Sequence, residues 1–445
     1  MLSLKKLPFV KKLIAIPAVF GTYHFLWAWI EAVINRYPSG KIFAIGVTGT
    51  KGKTTTLELL NAIFETAGKR TALLSSLRVK IGDISEKNRL GNSMPGHGYI
   101  QKFLKKAVLA KCGYALIEVT SQGVAAHRHR FIRWNMGAIT NLAPEHIESH
   151  GSFENYREAK LDFLKYVLKK GGEVFLNRDA LHFDFFKEAL ARPNFSSKNS
   201  GGLTGTRTEE YSKEDGWLAN YLPKIYPMHA VVGGQPPKFL MSGFNKENVA
   251  AAVALAKELG VGDGIIEQAL AAFTGVPGRM EFVKEGTYTA IVDYAHTPDS
   301  LEAAYKEAKP VPDANYPEPK LICILGAAGG GRDKWKRREM GKIAARYCDF
   351  IILTDEDPYD EDPKTILAEI KNGIDEAGFP QDHLSQVLDR KEAIRHAAAR
   401  LRAGDILIGT GKGSEEWIHV AGGKEIPWNE KKEFEDVLAE KRRGG

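Results

Sequence analysis

KIFAIGVTGTKGKTTTLELLNAIF, residues Lys41 to Phe64, is the stretch whose reading decides the fold. It opens as an apolar run, Ile42 to Val47, and passes through Gly46, Gly49 and Gly52. It then meets Lys53 and the hydroxyl run Thr54–Thr56, and continues with helical apolar spacing. A buried strand, a Gly-rich turn and a helix N-terminus in that order make a phosphate cradle. Backbone N–H groups of the loop face the anion and the helix dipole adds positive potential. A lysine at this place reaches terminal phosphates, and a threonine hydroxyl can sit on Mg²⁺. Val47 stands where the strict G-x-x-x-x-G-K-T pattern has its first glycine, so the alternative is an ordinary Gly-rich turn. The order strand, loop, Lys-Thr and helix points to nucleotide binding.

The same alternation continues outward from this stretch. Thr71–Ser76, Tyr114–Thr120, Gly137–Asn141 and Glu173–Asn177 read as buried strands, and Thr55–Thr66, Ile100–Ala110 and Phe153–Lys169 as helices. Such a series predicts an α/β fold with a mostly parallel sheet covered on both faces. Residues 194–240, rich in Gly, Ser, Asn, Lys and Pro, read as a loop-rich β excursion, followed by a helix over Asn245–Leu259. A second, Rossmann-like α/β unit begins near Gly278. Its strands are Ala290–Asp293, Leu321–Leu325, Phe350–Thr354 and Asp405–Ile408, and its helices Ser300–Lys309, Lys336–Arg346, Lys364–Ala377 and Lys391–Arg402. The expected divisions are therefore a short apolar segment 1–40, a central ATP-binding domain 41–277 and a C-terminal domain 278–445. In open α/β sheets ligands bind at the carboxyl ends of strands. Glu118 and Ser121, Asn141, Asp293 and His296, Asp355, and Gly411 to Glu415 fall there.

A chain of 445 residues exceeds a single core. Its net charge of +7 suits anionic ligands, yet the basic residues are dispersed with no aromatic-interleaved stripe, so nucleic acid is not an expected partner. Cys112, Cys323 and Cys348 are scattered, odd in number and lack metal spacing, which fits a reducing cytosol. Near the N-terminus, Lys5, Lys6, Lys11 and Lys12 precede Leu13 to Ile30, a run without charged side chains long enough to be a candidate span. Pro17, Gly21 and His24 weaken that reading, and no small-residue cleavage site follows. Positive residues ahead of a span would send the rest of the chain outside, away from ATP. The expectation is a helix packed on the nucleotide domain, or an interfacial helix giving residues 8–34 peripheral contact with the inner face of the membrane.

Eight segments stand in order: GVTGTKGKTTT (46–56), IEVTSQGVAAHR (117–128), TNLAPEHIESHGSFENYREAK (140–160), GFNKENVAAA (243–252), GVPGRMEFV (275–283), VDYAHTPDSLEAA (292–304), GGGRDKWKRREM (329–340) and GKGSEE (411–416). Together they resemble the Mur ligase family, from about Lys41 to the C-terminus, and most closely its branch adding the third residue of the wall peptide. The resemblance implies a cytoplasmic, ATP-dependent amide ligase of peptidoglycan precursor synthesis, favoured as a monomer, whose partners are nucleotide, amino acid and peptidyl acceptor. The acceptor carboxylate would become an acyl phosphate, because a carboxylate oxygen does not leave unaided. Amine attack would then release phosphate.

By the same resemblance, Gly49, Thr50, Gly52, Lys53, Thr54 and Thr55 hold the phosphates, with Thr54 on Mg²⁺. Glu118 and His146 would bind a second magnesium, and Lys160 would be carbamylated, turning a cation into an oxygen donor for a hard metal. Without the motif, Lys160 would read as a solvated helix lysine. Asn141, Asn245 and Asn248 lie on the nucleotide side, although asparagines at a helix start also serve as caps. Arg279, Asp293 and His296 would close over the nucleotide about a hinge near residue 278. Arg332 would clamp the α-carboxylate of the incoming amino acid, with Gly411 and Glu415 lining its distal end. Ser93, Met94, Pro95, Ser121, Gln122 and Arg128 match positions that contact the acceptor peptide.

Departures from the pattern matter too. Lys51 replaces a loop asparagine, Gln122 a histidine and Glu145 an aspartate. The Asp-Asn-Pro-Arg selectivity motif appears as Glu356-Asp357-Pro358-Tyr359. Asp357 could attract an amine, and Tyr359 could bond a carboxylate, so both a lysine-like substrate and diaminopimelate are open, with a slight lean toward the former. Only about forty residues precede the phosphate loop, too few for the family's separate UDP-binding domain. The acceptor could therefore be another peptide or a folate-like chain. A nucleotide-binding partner subunit without ligase turnover is the remaining alternative.

Overall fold

The run from Phe43 to Thr48 forms the central strand of its sheet because its side chains are buried on both faces, as a parallel strand covered by helices requires. The structure, a computed structural model, describes residues 17–90, 92–96, 98–145, 150–191, 207–212, 215, 243–284, 287–331 and 333–444. It divides into two units, Met1–Thr274 and Gly275–Gly445.

In the first unit the strands are β1 (Phe43–Thr48), β2 (Thr71–Leu74), β3 (Arg78–Ile81), β4 (Ile84–Lys87), β5 (Tyr114–Glu118), β6 (Trp134–Ile139), β7 (Glu173–Asn177) and β8 (Thr208–Tyr211). The helices are α1 (Pro17–Ile34), α2 (Lys53–Thr66), α3 (Tyr99–Leu109), α4 (Ser121–Ala125), α5 (Phe153–Lys169), α6 (Phe183–Ala191), α7 (Gly243–Glu258) and α8 (Asp263–Ala272). The eight strands lie in the order β4-β3-β2-β5-β1-β6-β7-β8. All pairs are parallel except the β2-β3-β4 edge. Of the expected excursion over 194–240, only 207–212 and 215 are described, and they supply β8.

Packing explains the unusual start of the phosphate-loop motif. A Cβ on Gly46 would lie 2.5 Å from Phe163 Cζ and 2.9 Å from Trp134 Cζ3, so β1 needs glycine there to let α5 and β6 close over it. Gly46 is thus a packing glycine inside the strand, and the loop proper begins at Gly49. Ser152 caps α5 by accepting from Asn155 N, which fixes where that helix starts.

The second unit carries β9 (Glu281–Lys284), β10 (Thr289–Val292), β11 (Leu321–Leu325), β12 (Phe350–Leu353), β13 (Leu384–Gln386) and β14 (Ile406–Gly409), in the order β13-β12-β11-β14-β10-β9. Only β9 is antiparallel to its neighbour. Its helices are α9 (Pro298–Ala308), α10 (Trp335–Tyr347), α11 (Pro363–Glu376), α12 (Arg390–Arg400) and α13 (Glu430–Gly444), and a β15 (Trp417–Val420)–β16 (Lys424–Pro427) hairpin completes it. This is the expected pair of α/β folds, with a parallel phosphate-loop sheet followed by a Rossmann-like one.

One expectation is corrected. Cys323 and Cys348 are not separate thiols: they form a disulfide across 25 residues, with Cα atoms 6.1 Å apart. The β11-α10-β12 crossover returns the chain beside its own starting strand, a closeness that linear spacing hides. Cys112 is buried and free.

Arg390 and Glu430 form a fully buried ion pair at 2.7 Å, and Arg390 also donates to the Asp355 and Thr410 carbonyls, tying α12 and α13 to the strand ends. Replacing Arg390 by Met strands the carboxylate, and denaturant unfolding should show a loss of about 3–5 kcal/mol. The exposed Arg395–Glu440 pair is the control: Arg395→Met should cost less than about 1 kcal/mol.

Candidate active site

At the carboxyl end of β1, Gly49 (φ 145°) and Gly52 (φ 81°) carry the chain into α2 through backbone angles that favour glycine. A Cβ on Gly52 would lie 2.0 Å from Asn248 Oδ1, and one on Gly49 1.9 Å from Thr140 Oγ1. No side chain caps α2, so its positive dipole end is left to an anion. The loop is held from outside. Thr50 N donates to the Asn141 carbonyl and Lys51 N to Asn141 Oδ1, while Thr140 Oγ1 donates to the Lys51 carbonyl. Thr50 Oγ1 shares a hydrogen bond of 2.9 Å with the Tyr156 hydroxyl. Lys53 Nζ donates to the Gly49 and Thr50 carbonyls at 2.9 and 2.8 Å. Thr55 is buried in the first turn of α2.

Strand pairing sets Glu118 opposite Val47. Its buried carboxylate accepts from Thr54 Oγ1 at 2.9 Å and from Ser76 N at 2.9 Å, and Thr54 Oγ1 also meets Ser76 Oγ at 2.8 Å. A carboxylate and two hydroxyls beside an uncapped helix N-terminus are hard oxygen donors, a set that fits Mg²⁺ completed by water and phosphate oxygens. Among the described residues no cluster of three or more His, Cys, Asp or Glu forms a metal site; His146 lies outside them.

Lys160 is not a solvated lysine. It is 1% exposed, its Nζ donates to the Gly49 carbonyl at 2.7 Å, and it lies over the Tyr156 ring. Burial first, and then the nearby Lys53 ammonium, push its amine well below the ordinary lysine value, against the pull of Glu145 and Glu118. Asn248 Nδ2 donates to Asn245 Oδ1, joining the asparagine pair on α7 behind the loop. A small cleft lined by Asn141, Leu142, Asn177, His182 and Phe186 among others flanks the same strand ends.

A second group adjoins α4. Arg128 Nη1 donates to the Met94 carbonyl at 2.5 Å, and Ser121 Oγ meets His150 Nε2 at 3.1 Å. Pro95 and Arg128 share a small open cleft with Gln101 and with His24, Trp27 and Glu31 of α1. Ser93 is half-buried beside Met94, and Gln122 is exposed on α4.

The second unit gathers its expected residues into one chain of contacts. Asp293 accepts from Met280 N and Ala295 N, fixing the turn that carries Arg279, whose guanidinium lies 4.1 Å from the Tyr294 ring centre. His296 Nδ1 meets the Tyr294 carbonyl at 2.8 Å. The Tyr294 hydroxyl donates to Glu415 Oε1, whose other oxygen accepts from Lys412 Nζ at 2.7 Å. Lys412, fully buried, also donates to both Asp357 oxygens at 2.9 and 3.0 Å, and Asp357 accepts from His419 N. Tyr359 stacks on His419 with ring centres 5.1 Å apart. Gly411 (φ 101°) packs so closely on Glu356 that a Cβ would sit 2.3 Å from its Oε2, an oxygen without a hydrogen-bond partner. Burial pushes the Glu356 carboxyl up to about 7, against the pull of Lys412 and Arg390.

The structure therefore brings Gly49, Thr50, Gly52, Lys53, Thr54, Glu118, Asn141, Lys160 and Asn248 to one loop in the first unit. It brings Asp293, Arg279, Glu415 and Asp357 to one chain in the second. Arg332 lies outside the described residues. Sequence reasoning missed Ser76, Thr140, Tyr156 and Lys412. Lys412 stood between two named positions, Gly411 and Glu415, and its alternation of Gly and Lys was the available signal.

Comparison with known proteins places the chain in a family. Residues 47–256 match the Mur ligase middle domain and 278–413 the Mur ligase glutamate ligase domain. The UDP-N-acetylmuramoyl-L-alanyl-D-glutamate–2,6-diaminopimelate ligase of Syntrophomonas wolfei is 34% identical, covering 85% of this chain and 75% of its own. The UDP-N-acetylmuramyl-tripeptide synthetase of a Roseiflexus species is 33% identical, covering 94% and 82%. A solved UDP-N-acetylmuramoyl-L-alanyl-D-glutamate–2,6-diaminopimelate ligase, 25% identical, superposes with a TM-score of 0.56 over 90% of this chain and 79% of that one. A Mycobacterium tuberculosis folylpolyglutamate synthase solved with ADP shares the fold at 15% identity, with a TM-score of 0.64 over 87% and 91%.

Lys53→Ala should lower kcat by about 10²–10³-fold in a coupled ADP-release assay, as loss of one preorganised charge contact does; a near-normal rate would remove Lys53 from the phosphate role. Glu356 offers a stability test. Its native carboxyl holds a proton between its ordinary value of 4.5 and about 7, where the unfolded chain has released it. Its contribution is therefore present below that window and lost as pH rises through it. Glu356→Gln should flatten this slope, gaining stability relative to the parent at pH 8 more than at pH 4, as read by denaturant midpoints at the two pH values.

Proposed function

The chain belongs to the Mur ligase family, and we propose that it joins diaminopimelate to the glutamyl carboxylate of a UDP-N-acetylmuramoyl-L-alanyl-D-glutamate-type acceptor in peptidoglycan precursor synthesis. Members of this family are ATP-dependent ligases that form amide bonds. The observation that carries the reading is the convergence of Lys53, Thr54, Glu118 and Lys160 on one glycine loop.

The carboxylate oxygen of the acceptor attacks the γ-phosphorus of ATP; a new O–P bond forms and the bond to the ADP oxygen breaks. The neutral amine then attacks the acyl carbon, the acyl–oxygen bond breaks to release phosphate, and the nitrogen gives up a proton to solvent. This chain's part is to position and to neutralise charge. On phosphate binding, Lys53 exchanges its loop carbonyls for phosphate oxygens, and the open end of α2 offers its N–H groups. Arg128 and the Met94–Pro95 turn hold the acceptor peptide; Arg332 takes the α-carboxylate of the incoming amino acid.

Magnesium, when bound, neutralises charge on the phosphate oxygens; Thr54 would hold one ion beside Glu118, and Glu118, His146 and a carbamylated Lys160 would hold a second. Carbamylation needs the neutral amine as nucleophile toward CO₂, and the burial of Lys160 favours that form. In this reading the enzyme works as a monomer, drawing on cytoplasmic ATP at the inner face of the membrane.

In the second unit Asp357 gives no reason to prefer a lysine-like substrate over diaminopimelate, since both carry a distal ammonium. The ammonium that Asp357 would attract is already supplied by the chain's own Lys412, which also neutralises Glu415. Support for diaminopimelate comes from the relatives named as diaminopimelate ligases.

Incubation with ATP, Mg²⁺, the muramoyl dipeptide and equal diaminopimelate, lysine and ornithine should give, by mass spectrometry, the diaminopimelate tripeptide as the main product. A lysine product would overturn the amine assignment, and turnover confined to a folate-like glutamyl acceptor would overturn the acceptor. Lys160→Ala should reduce turnover by about 10²-fold or more, with partial rescue by a short added carboxylate; undiminished activity would reject the carbamate.

A further inference from the structure

Helix α1 is turned inside out for a helix facing water. Phe25, Leu26, Trp29, Ile30, Val33 and Ile34 are each 37–62% exposed. At a helical step of about 100° they occupy one continuous half of its circumference. Tyr37, just beyond the helix, extends the stripe at 45% exposure. Thr22 is exposed on the same half, one turn ahead of Phe25, whereas His24, Glu31 and Asn35 lie on the other half. Glu31 and Asn35 are buried, with Asn35 Nδ2 donating to the Glu31 carbonyl, and Gly98 packs so tightly on Glu31 that a Cβ would clash with its carboxylate. The helix is held in this orientation: Phe25 meets the rings of Phe131 and His127 edge-on, and Ser39 Oγ accepts from Arg133 N just after the helix. A contiguous apolar aromatic stripe of this kind marks a surface meant for something other than water.

Charge identifies the occupant. Lys5, Lys6, Lys11 and Lys12 precede the helix and Arg36 and Lys41 follow it. The first acidic residue of the whole chain is Glu31, the one turned inward. An apolar stripe with aromatic residues, flanked by cations and free of outward acids, complements an anionic lipid surface. No described helix is long and apolar enough to cross a membrane. We propose that α1 lies in the plane of an anionic bilayer, its Phe25–Ile34 stripe in the acyl boundary and the exposed Arg36 and Lys41 at the headgroups. The inward face of α1 lines the cleft that holds Pro95 and Arg128. Docking thus brings the acceptor side of the enzyme to the lipid surface, a consequence that rests on the acceptor reading above.

The full chain is floated with vesicles of phosphatidylcholine alone or of phosphatidylcholine mixed with phosphatidylglycerol, whose anionic headgroups attract basic residues near the surface. The expected result is flotation with the anionic vesicles, weakened by raised salt. Trp29→Glu with Ile30→Glu should lower the partition coefficient at least about tenfold. Ile84→Glu, at an exposed apolar residue on β4, should leave it unchanged. Thermal midpoints equal to the parent's would show that the variants fold. Absence of flotation with anionic vesicles, or equal flotation of the double variant, would overturn the proposal. So would a parent that is a dimer by light scattering and becomes monomeric in the double variant, which would assign the stripe to a second copy. Vesicle binding is read without catalysis, so its failure leaves the ligase reading standing, and failure of the ligase assay leaves docking standing.

Discussion

The parallel pairing of β1 with β5 is the constraint on which the rest depends. It sets Glu118 opposite Val47, so that a buried carboxylate at one strand end meets the hydroxyl of Thr54 at the start of α2. A carboxylate buried there without a partner would be costly. Thr54 and Ser76 satisfy it now, and the same oxygens suit a hard cation when phosphates arrive. Around this contact the loop is built from groups that leave no room for alternatives: glycines at left-handed angles, carbonyls held by Lys53 and Lys160, and Asn141 and Thr140 bracing the turn from β6.

The second unit solves a different electrostatic problem. It buries Glu356, Asp357, Arg390, Lys412 and Glu430 close to its strand ends. Arg390 is matched by Glu430, and Lys412 by Asp357 and Glu415, while Glu356 keeps one oxygen unpartnered and a raised carboxyl value. Such a network is expensive to assemble and sensitive to any added charge. Asp357 therefore has its ammonium partner within the chain, in Lys412.

The phosphate loop, the parallel strands and most long helices were legible because each leaves a strong one-dimensional signal. Glu173–Asn177, Leu321–Leu325 and Phe153–Lys169 were read to the residue, where apolar runs end at turn or capping residues. The β3–β4 edge was not, since its second strand is exposed throughout and carries no alternation. The packing role of Gly46, the burial of Lys160 and the Cys323–Cys348 pairing depend on which strands become neighbours. The motif marked Lys160 as special while its residue type argued for solvent. The orientation of α1 was likewise invisible, because an almost uncharged helix gives no sign of which face turns outward.

The central claim is that an inert carboxylate is activated by phosphoryl transfer at the Lys53–Thr54–Glu118 loop. Its most direct test follows heavy-oxygen label from the acceptor carboxylate through a single turnover. Passage through an acyl phosphate predicts one labelled oxygen in the released inorganic phosphate for each amide formed. Amide formation with unlabelled phosphate would contradict the account.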